Sequence, residues 1–327
     1  NNIGTIARSG TLEFLQNHKN DTKALEEDLI GKFGVGFYSV FMVTDEVIVE
    51  TRHAHSDSKG YRWRSSGHGT FTIEETERKN RGTKIAFTLK ESAKEFAEEF
   101  TIKEIIKKYS NFADFPIYFG DEKVNTVSAI WRKSPSEVTE SERNEFYKFI
   151  SNDFEAPLGH LHMSIEGTVV NFKALLFIPQ KAPFDLYRNP NFFKGLHLYS
   201  NKILIQRECK DVIPEYMGFL RGVVDTIDLP LNVSREVTQS SPLMIKIKNA
   251  IVKKVFSYLT EMAAKEPEKY VQFYKNFGRL LETGINSDFE NRDKIIELLR
   301  YESSMKKPDE LVSLEEYVSR MSEDQKE

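Results

Sequence analysis

Residues 29–41 read Leu29-Ile30-Gly31-Lys32-Phe33-Gly34-Val35-Gly36-Phe37-Tyr38-Ser39-Val40-Phe41, a turn with three glycines in six residues followed at once by an apolar, helix-like run. Glycine adopts positive φ and lets the backbone approach a ligand closely. A helix that starts after such a turn offers unpaired N–H groups to an anion. The stretch therefore predicts either a phosphate-binding turn or a tight packing turn that holds no ligand.

The spacing of these glycines argues against several known motifs. It is G-x-x-G-x-G rather than the G-x-G-x-x-G of dinucleotide-binding folds, and the preceding residues 23–28 are charged instead of forming a buried strand. The chain contains no P-loop sequence, no kinase H-R-D and D-F-G pair and no G-x-S-x-G nucleophile elbow. A P-loop ATPase, a protein kinase and a serine hydrolase are therefore not favoured.

The composition is that of a folded protein of about two domains without a preference for nucleic acid. Of 327 residues, 39% are hydrophobic, and the net charge is −4, whereas nucleic-acid-binding domains usually carry a basic surplus. No apolar run approaches the roughly 18 residues needed to span a bilayer. The single cysteine, Cys209, excludes an internal disulfide and favours a reducing compartment such as the cytoplasm.

Two histidine pairs, His53 with His55 and His160 with His162, have the spacing of one strand face. Because neither cysteines nor clustered carboxylates accompany them, we predict no metal site. The chain starts at Asn1 without methionine and ends in a polar tail, so we expect a fragment of a longer protein.

The first part of the chain reads as helices on an antiparallel sheet. After the glycine turn and a helix at 37–43, alternating or β-branched residues predict four strands, followed by an amphipathic helix at 96–109. The strands are expected at residues 46–52, 60–65, 70–75 and 83–89. A meander with one face buried against helices is an α+β sandwich.

The pattern breaks near Gly120, and we place a domain boundary between about 120 and 130. The second part is expected to be α/β, with strands before most of its helices. Its strands are predicted at 168–178 and 196–206, and its helices at 140–150, 214–222, 243–262, 270–282 and 293–301. The loop between the strands carries Phe184, Phe192 and Phe193. Such aromatic residues either contact a partner or fold back into the loop.

Five segments together resemble the Hsp90 molecular chaperones, and they occur in the order of that family along the whole chain. They are residues 2–10, 31–41, 182–186, 229–236 with Gln239, and 298–304. The chain lacks a long charged linker, which makes it more similar to bacterial (HtpG-type) or organellar members than to eukaryotic cytosolic ones.

The resemblance implies an ATP-binding domain of the GHKL type, an α/β sandwich, at residues 1–122, with a lid at about 9–30, and a middle domain at 123–327. ATP and Mg²⁺ are the implied cofactors. The residues that match nucleotide-contacting positions of the family are Asn2 and Arg8 at the ribose and phosphates, Gly34, Val35, Gly36 and Phe37 at the phosphates, and Thr83 at the adenine.

Arg235 matches the arginine that reaches the γ-phosphate from the middle domain in this family. Gln239 lies one helical turn further on, so both side chains can share one face of a helix. An arginine supplied by a second domain fits charge stabilisation in phosphoryl transfer. The family's catalytic glutamate and Mg²⁺-binding asparagine would lie before Asn1, so we expect this chain alone to be inactive as an ATPase.

The resemblance also implies partly folded client proteins as partners, with Phe154, Phe184, Phe192 and Phe193 as candidate contacts. It implies a homodimer formed through a C-terminal domain that this sequence does not contain. Two alternatives remain at this point: another GHKL ATPase of the type II topoisomerase or mismatch-repair kind, and a fragment that only binds proteins.

Overall fold

The computed structural model describes residues 34–55, 57–125, 128–167, 170–184, 186–188, 192–229, 241–307 and 310–322. The chain divides into two compact units, Asn1–Val127 and Ser128–Glu327, and this division falls inside the interval of about 120–130 that the sequence suggests. No helix in the described part of the chain is long and apolar enough to cross a membrane. Both units combine helices with mainly antiparallel sheets, so the predicted α+β class is confirmed.

The first unit contains a four-stranded antiparallel sheet whose order is β3-β2-β1-β4. The strands are β1 (Thr44–Arg52), β2 (Gly60–Ser65), β3 (Phe71–Thr76) and β4 (Gly82–Leu89). The four predicted strands are therefore confirmed. They do not form a simple meander, because β4 pairs with β1 instead of with β3.

The two faces of this sheet differ because successive side chains alternate across it. Val47, Val49 and Trp63 are buried on one face, beneath the seven-residue 3₁₀ helix Gly36–Met42. The opposite face carries charged pairs between strands: Arg62 with Glu50 at 2.7 Å and Arg64 with Glu46 at 2.7 Å. The apolar face is the one on which the glycine turn lies.

A 3₁₀ helix, Glu91–Ala97, and helix α1 (Glu99–Ser110) follow the sheet, so the predicted single helix is two elements. Phe100, on the predicted apolar stripe of α1, is 76% exposed. A short hairpin of β5 (Tyr118–Phe119) and β6 (Glu122–Lys123) comes next. The buried Asn125 side chain then accepts from the Ile117 N–H and donates to two backbone carbonyls, which fixes the last described residues of this unit.

The second unit is built on a five-stranded mixed sheet with the order β10-β9-β11-β8-β7. Its strands are β7 (Gly159–Glu166), β8 (Asn171–Ile178), β9 (Leu196–Ser200), β10 (Ile203–Cys209) and β11 (Arg221–Asp225). All described pairs are antiparallel except β9 with β11. Strand β11 lies between β9 and β8 and is almost completely buried.

Helices cover both faces of this sheet. Helix α2 (Glu140–Ser151) starts at a capping box in which Thr139 and Glu142 exchange hydrogen bonds, and its Phe146 and Tyr147 pack against Phe177. The other face is covered by α3 (Pro242–Lys265), α4 (Pro267–Ser287) and α5 (Arg292–Leu298). A small hairpin of β12 (Tyr301–Glu302) and β13 (Leu311–Val312) and helix α6 (Leu314–Ser319) complete the unit.

Two sequence predictions in this unit are wrong. Residues 196–206 form parts of two strands instead of one, because Asn201 and Lys202 adopt positive φ angles of 49° and 65° and reverse the chain. Residues 214–222 were expected to be helical, but only the 3₁₀ turn Glu215–Met217 is, and the chain then enters strand β11.

Candidate functional site

The glycine turn is described from Gly34 onward, and this part has the geometry of a backbone that a ligand can approach. Gly34 has a φ of 67°, which favours glycine. A Cβ placed on Gly36 would meet no atom of the described residues within 4 Å, so that part of the chain leaves the backbone of Gly36 open. The Tyr38 N–H donates to the Val35 carbonyl at 3.0 Å, which begins the 3₁₀ helix. The N–H groups of Gly36 and Phe37 precede that bond, as at any helix start.

Phe37 holds this turn against the sheet. Its ring makes an edge contact with Trp63 at a centroid distance of 5.7 Å and packs with Val40 and Phe41 on the buried strand residues. Lys90 makes two further hydrogen bonds to this segment. Its backbone N–H donates to the Val43 carbonyl at 2.9 Å, and its Nζ donates to the Phe41 carbonyl at 3.2 Å. The turn therefore packs on side chains from β1 and β2.

Thr83 lies on the same face of the sheet. Thr83 of β4 is paired with Thr51 of β1. Thr51 lies two residues from Val49 on β1, so Thr83 lies on the same face as Val49 and its partner Trp63. The two threonine hydroxyls are 2.9 Å apart, and Thr83 is exposed. The sheet thus brings Thr83 and the glycine turn to one face, as a shared ligand would require.

Four predicted site residues, Asn2, Arg8, Arg235 and Gln239, lie outside the described residues, as does the predicted lid at 9–30. Among the residues that the structure describes, no three His, Cys, Asp or Glu side chains are grouped to hold a metal ion.

The predicted client contacts fall into two classes by exposure. Phe154 is 92% exposed and Phe184 is 94% exposed, the largest values among the large apolar side chains of the described residues. Their loops are joined by an ion pair between Lys181 and Glu155 at 2.6 Å. The Arg188 guanidinium lies 5.7 Å from the centre of the Phe184 ring.

Phe192 and Phe193 are instead partly buried against the core of the second unit. Both rings approach Gly218 so closely that a side chain there would lie 3.1–3.2 Å from them. Arg221 lies over Phe192 and Lys210 over Phe193, at 5.6 and 5.7 Å. These two residues are thus less available to a partner than the sequence suggests.

Sequence reasoning missed one buried polar cluster. Asp225, at the end of β11, accepts hydrogen bonds from Trp131 at 2.9 Å and Arg132 at 2.8 Å. In the sequence this cluster is indicated by an aspartate at the end of an apolar strand. That pattern can be used only after the strand itself has been predicted.

Comparisons with known proteins identify the family of the chain. The family model described as "Hsp90 protein" matches residues 119–327. The chain belongs to the Hsp90 family. This membership, together with the names of its relatives, does not favour the topoisomerase or mismatch-repair alternative.

Bacterial Hsp90 relatives match both units. A protein named "Chaperone protein HtpG" from Chlorobium phaeovibrioides is 56% identical over 328 residues, which cover 100% of this chain and 52% of the relative. Proteins of the same name from Geobacter sulfurreducens and Desulfitobacterium hafniense are 45% and 44% identical, covering 100% and 99% of this chain and 54% and 52% of their own lengths. The predicted resemblance to HtpG-type members is confirmed, and the chain spans about half the length of these curated relatives.

Proposed function

We propose that the full-length protein that carries this chain is an ATP-dependent molecular chaperone, which assists the folding of client proteins through lid closure and docking of its nucleotide and middle domains. The match to HtpG chaperones over both units supports this function. In this assignment the nucleotide domain is 1–122 and the middle domain is 123–327.

The nucleotide is proposed to lie on the apolar face of the first sheet. The backbone N–H groups of Gly34, Val35, Gly36 and Phe37 would bind the phosphates. A close approach is supported by Gly36, where no atom of the described residues lies within 4 Å of an added Cβ. Thr83, exposed on the same face, would contact the adenine. Asn2 and Arg8 are assigned to the ribose and phosphates from the family resemblance.

Arg235 is proposed to stabilise charge that develops on the γ-phosphate, with Gln239 beside it. An arginine in this role contributes only when it is positioned against the transferring group, which would make hydrolysis depend on docking of the middle domain. Mg²⁺ would neutralise phosphate charge when bound, and its ligands are assigned to residues outside this chain. The water-activating glutamate is assigned there as well, so this chain alone is expected not to hydrolyse ATP.

Client binding is assigned first to Phe154 and Phe184. The observation that supports this function most directly is that these two side chains are almost fully exposed on loops joined by the Lys181–Glu155 pair. Exposed aromatic side chains are typical of surfaces that bind a partner, because a large apolar side chain is more stable when a neighbour covers it. Phe192 and Phe193 remain secondary candidates.

Cytoplasmic location and homodimerisation through a further domain are part of the same proposal.

The proposed function is tested by the aggregation of a chemically unfolded test protein diluted into the full-length protein, with ATP, with ADP or without nucleotide. We expect light scattering to decrease, and the amount of bound test protein to differ between ATP and ADP. Suppression that is identical in all three conditions would instead support a module that binds proteins without a nucleotide cycle.

A further inference from the structure

The exposed ring of Phe154 lies on a turn that a buried tyrosine holds in place. Helix α2 ends at Asn152, whose left-handed φ of 56° turns the chain out of the helix. The next residue, Asp153, accepts from the Tyr147 hydroxyl through Oδ2 at 2.6 Å and from the Glu155 N–H through Oδ1 at 3.2 Å. The Asp153 carboxylate is therefore bonded both to the helix before Phe154 and to the residue after it.

Tyr147 connects this turn to the sheet of the second unit. The Ser151 hydroxyl donates to the Tyr147 carbonyl at 2.6 Å and accepts from the Asp153 N–H at 3.1 Å. Tyr147 has no exposed surface, and its ring packs near Phe177 of β8 at a centroid distance of 5.2 Å. Removing only the Tyr147 hydroxyl would thus release one bond of the turn while the ring keeps its packing.

The loop that carries Phe184 is held separately, by one residue of α4. The Ala182 N–H donates to Asn276 Oδ1 at 2.9 Å, and the Tyr187 hydroxyl donates to the Asn276 carbonyl at 3.1 Å. Phe184 lies between these two points in the chain. Each of the two loops with a highly exposed phenylalanine therefore has its own hydrogen bonds to a helix, in addition to the ion pair that joins the loops.

Helix capping does not account for the bond between Tyr147 and Asp153. A similar bond in the same unit, from the Tyr216 hydroxyl to Asp288 at 2.6 Å, belongs to a cap, because Asp288 also accepts from the Asn291 N–H at the start of a 3₁₀ helix. Asp153 instead follows α2 and precedes strand β7, so it starts no helix. What the Tyr147 bond does provide is a fixed position for the turn after α2.

A fixed turn matters for an exposed ring because association costs free energy for every side chain and loop that becomes ordered on binding. An aromatic side chain that is already in its bound position avoids part of this cost. The hydrogen bonds of the turn could therefore increase affinity for a partner without contacting it.

We propose that Tyr147 is a positioning residue for client binding: through Asp153 it fixes the turn that presents Phe154 to an apolar segment of a partly folded client. This inference rests on the proposed function, since it assigns a role only if Phe154 contacts clients. It adds a buried residue, which does not touch the client, to the residues that determine client affinity.

The test is a double-mutant cycle on the full-length protein with Tyr147→Phe, Phe154→Ala and the combination of the two. The probe is fluorescently labelled, reduced and carboxymethylated α-lactalbumin, an unfolded protein, and anisotropy gives its Kd. We expect Tyr147→Phe to raise this Kd by about three- to tenfold, the range that corresponds to ordering one or two side chains on binding. In the Phe154→Ala background the same substitution should change the Kd by less than about twofold, because no ring remains to be positioned.

Tyr216→Phe is the matched control, because it removes a tyrosine–aspartate bond of the same length in the same unit. It should leave the Kd for the probe within about twofold of the wild-type value. Melting temperatures of both variants show whether the two substitutions destabilise the protein to a similar extent.

The proposal is overturned if folded Tyr147→Phe binds the probe like the wild type, if it weakens binding equally with and without the Phe154 ring, or if Tyr216→Phe weakens binding as much. If Tyr147→Phe does not fold, Asp153→Ala, which removes the same bond at a half-buried position, replaces it in the cycle with the same expected outcome.

Two results separate this proposal from the function on which it rests. Wild-type affinity in Phe154→Ala would refute the assignment of Phe154 to client binding, and the positioning role with it. Weaker binding by Phe154→Ala together with an unimpaired Tyr147→Phe would refute only the positioning role.

Discussion

Lys181 donates to Glu155 across 2.6 Å, and this pair connects the loop of Phe154 to the loop of Phe184. Both charged side chains are largely exposed, at 71% and 48%. Exposed pairs of this kind contribute at most about 1 kcal/mol to folding. The pair therefore adds little to the free energy of folding, and its structural effect is to link two loops that present aromatic side chains to solvent.

Replacing Phe154 and Phe184 together by alanine should weaken the binding of a partly folded client by about tenfold or more, as expected for exposed aromatic residues that become buried in a complex. The melting temperature should not change, because neither ring is packed in the free protein. Phe289→Ala is the control, since that ring is 77% exposed on another element. Equal client affinities for the double variant and the control would contradict the assignment; fluorescence anisotropy of a labelled client measures them.

Gly36→Ala should reduce ATP affinity without destabilising the fold. A Cβ at Gly36 meets no atom of the described residues within 4 Å, so nothing in that part of the chain opposes the methyl group. A phosphate bound at the backbone would not tolerate this group, and the loss of charge-assisted hydrogen bonds worth about 1.5–3 kcal/mol corresponds to roughly ten- to a hundredfold in Kd. Calorimetric titration of the full-length variant measures this, and an unchanged Kd would remove the phosphates from this turn.

Two glycines with similar backbone angles should respond very differently to alanine. Gly195 has a φ of 78°, and a Cβ there would clash with the Cys209 carbonyl oxygen. Gly69 has a φ of 85°, and no atom of the described residues lies within 4 Å of such a Cβ. Gly69→Ala should cost about 1–2 kcal/mol, the penalty of the left-handed conformation alone. Gly195→Ala should cost on the order of 4 kcal/mol or more, because backbone atoms must move. Denaturant unfolding of the two variants measures the loss of unfolding free energy in each. Equal losses would show that packing at Gly195 is unimportant.

Acid should destabilise the second unit through His197. Burial of its ring, with smaller contributions from Arg207 and Arg221, lowers the pKa of His197 from 6.5 to about 4. The unfolded chain therefore binds a proton that the folded chain does not between these values, so this contribution is fully present above pH 6.5 and is lost as the pH falls to about 4. The effect amounts to at most about 3 kcal/mol.

The variant His197→Leu should show a shallower decline of the unfolding free energy between pH 6.5 and 4.5 than the wild type. The exposed His68, in the first unit, provides the control variant His68→Gln. Parallel pH profiles for His197→Leu and the wild type would mean that His197 does not carry the dependence. The slope is compared rather than the absolute stability, since removing the ring also changes packing.

The sequence predicted elements well wherever periodicity and turn residues agreed. The strands around Val47 and Trp63 have alternating or β-branched residues, and Thr139 with Glu142 has the spacing of a capping box. The turn at Asn201-Lys202 was missed because lysine seldom adopts positive φ, and the reversal carries no glycine. Strand β11 was missed because it is only five residues long and entirely apolar at its centre, which a buried helix would be as well.

The candidate site was predictable only in part, because exposure and long-range contacts are not encoded in a local sequence pattern. The glycine pattern predicted a turn that either binds phosphate or packs tightly, and Thr83 was assigned from the family resemblance. The exposure of each phenylalanine could not be predicted, because Phe184 and Phe192 have the same side chain and lie in the same loop. The structure distinguishes them, since Phe192 packs near Gly218 whereas Phe184 is 94% exposed. The Asp225 cluster required a contact between residues more than ninety positions apart, which no local pattern encodes.

Steady-state ATP turnover of the full-length protein, compared between wild type and Arg235→Ala with ATP affinity measured on the same preparations, tests the central proposal most directly. Wild-type turnover that falls by about a thousandfold or more in Arg235→Ala, with nearly unchanged ATP affinity, is the result predicted for an arginine that acts on the transition state. Equal turnover in the two proteins would contradict the proposal that the middle domain completes the ATPase site.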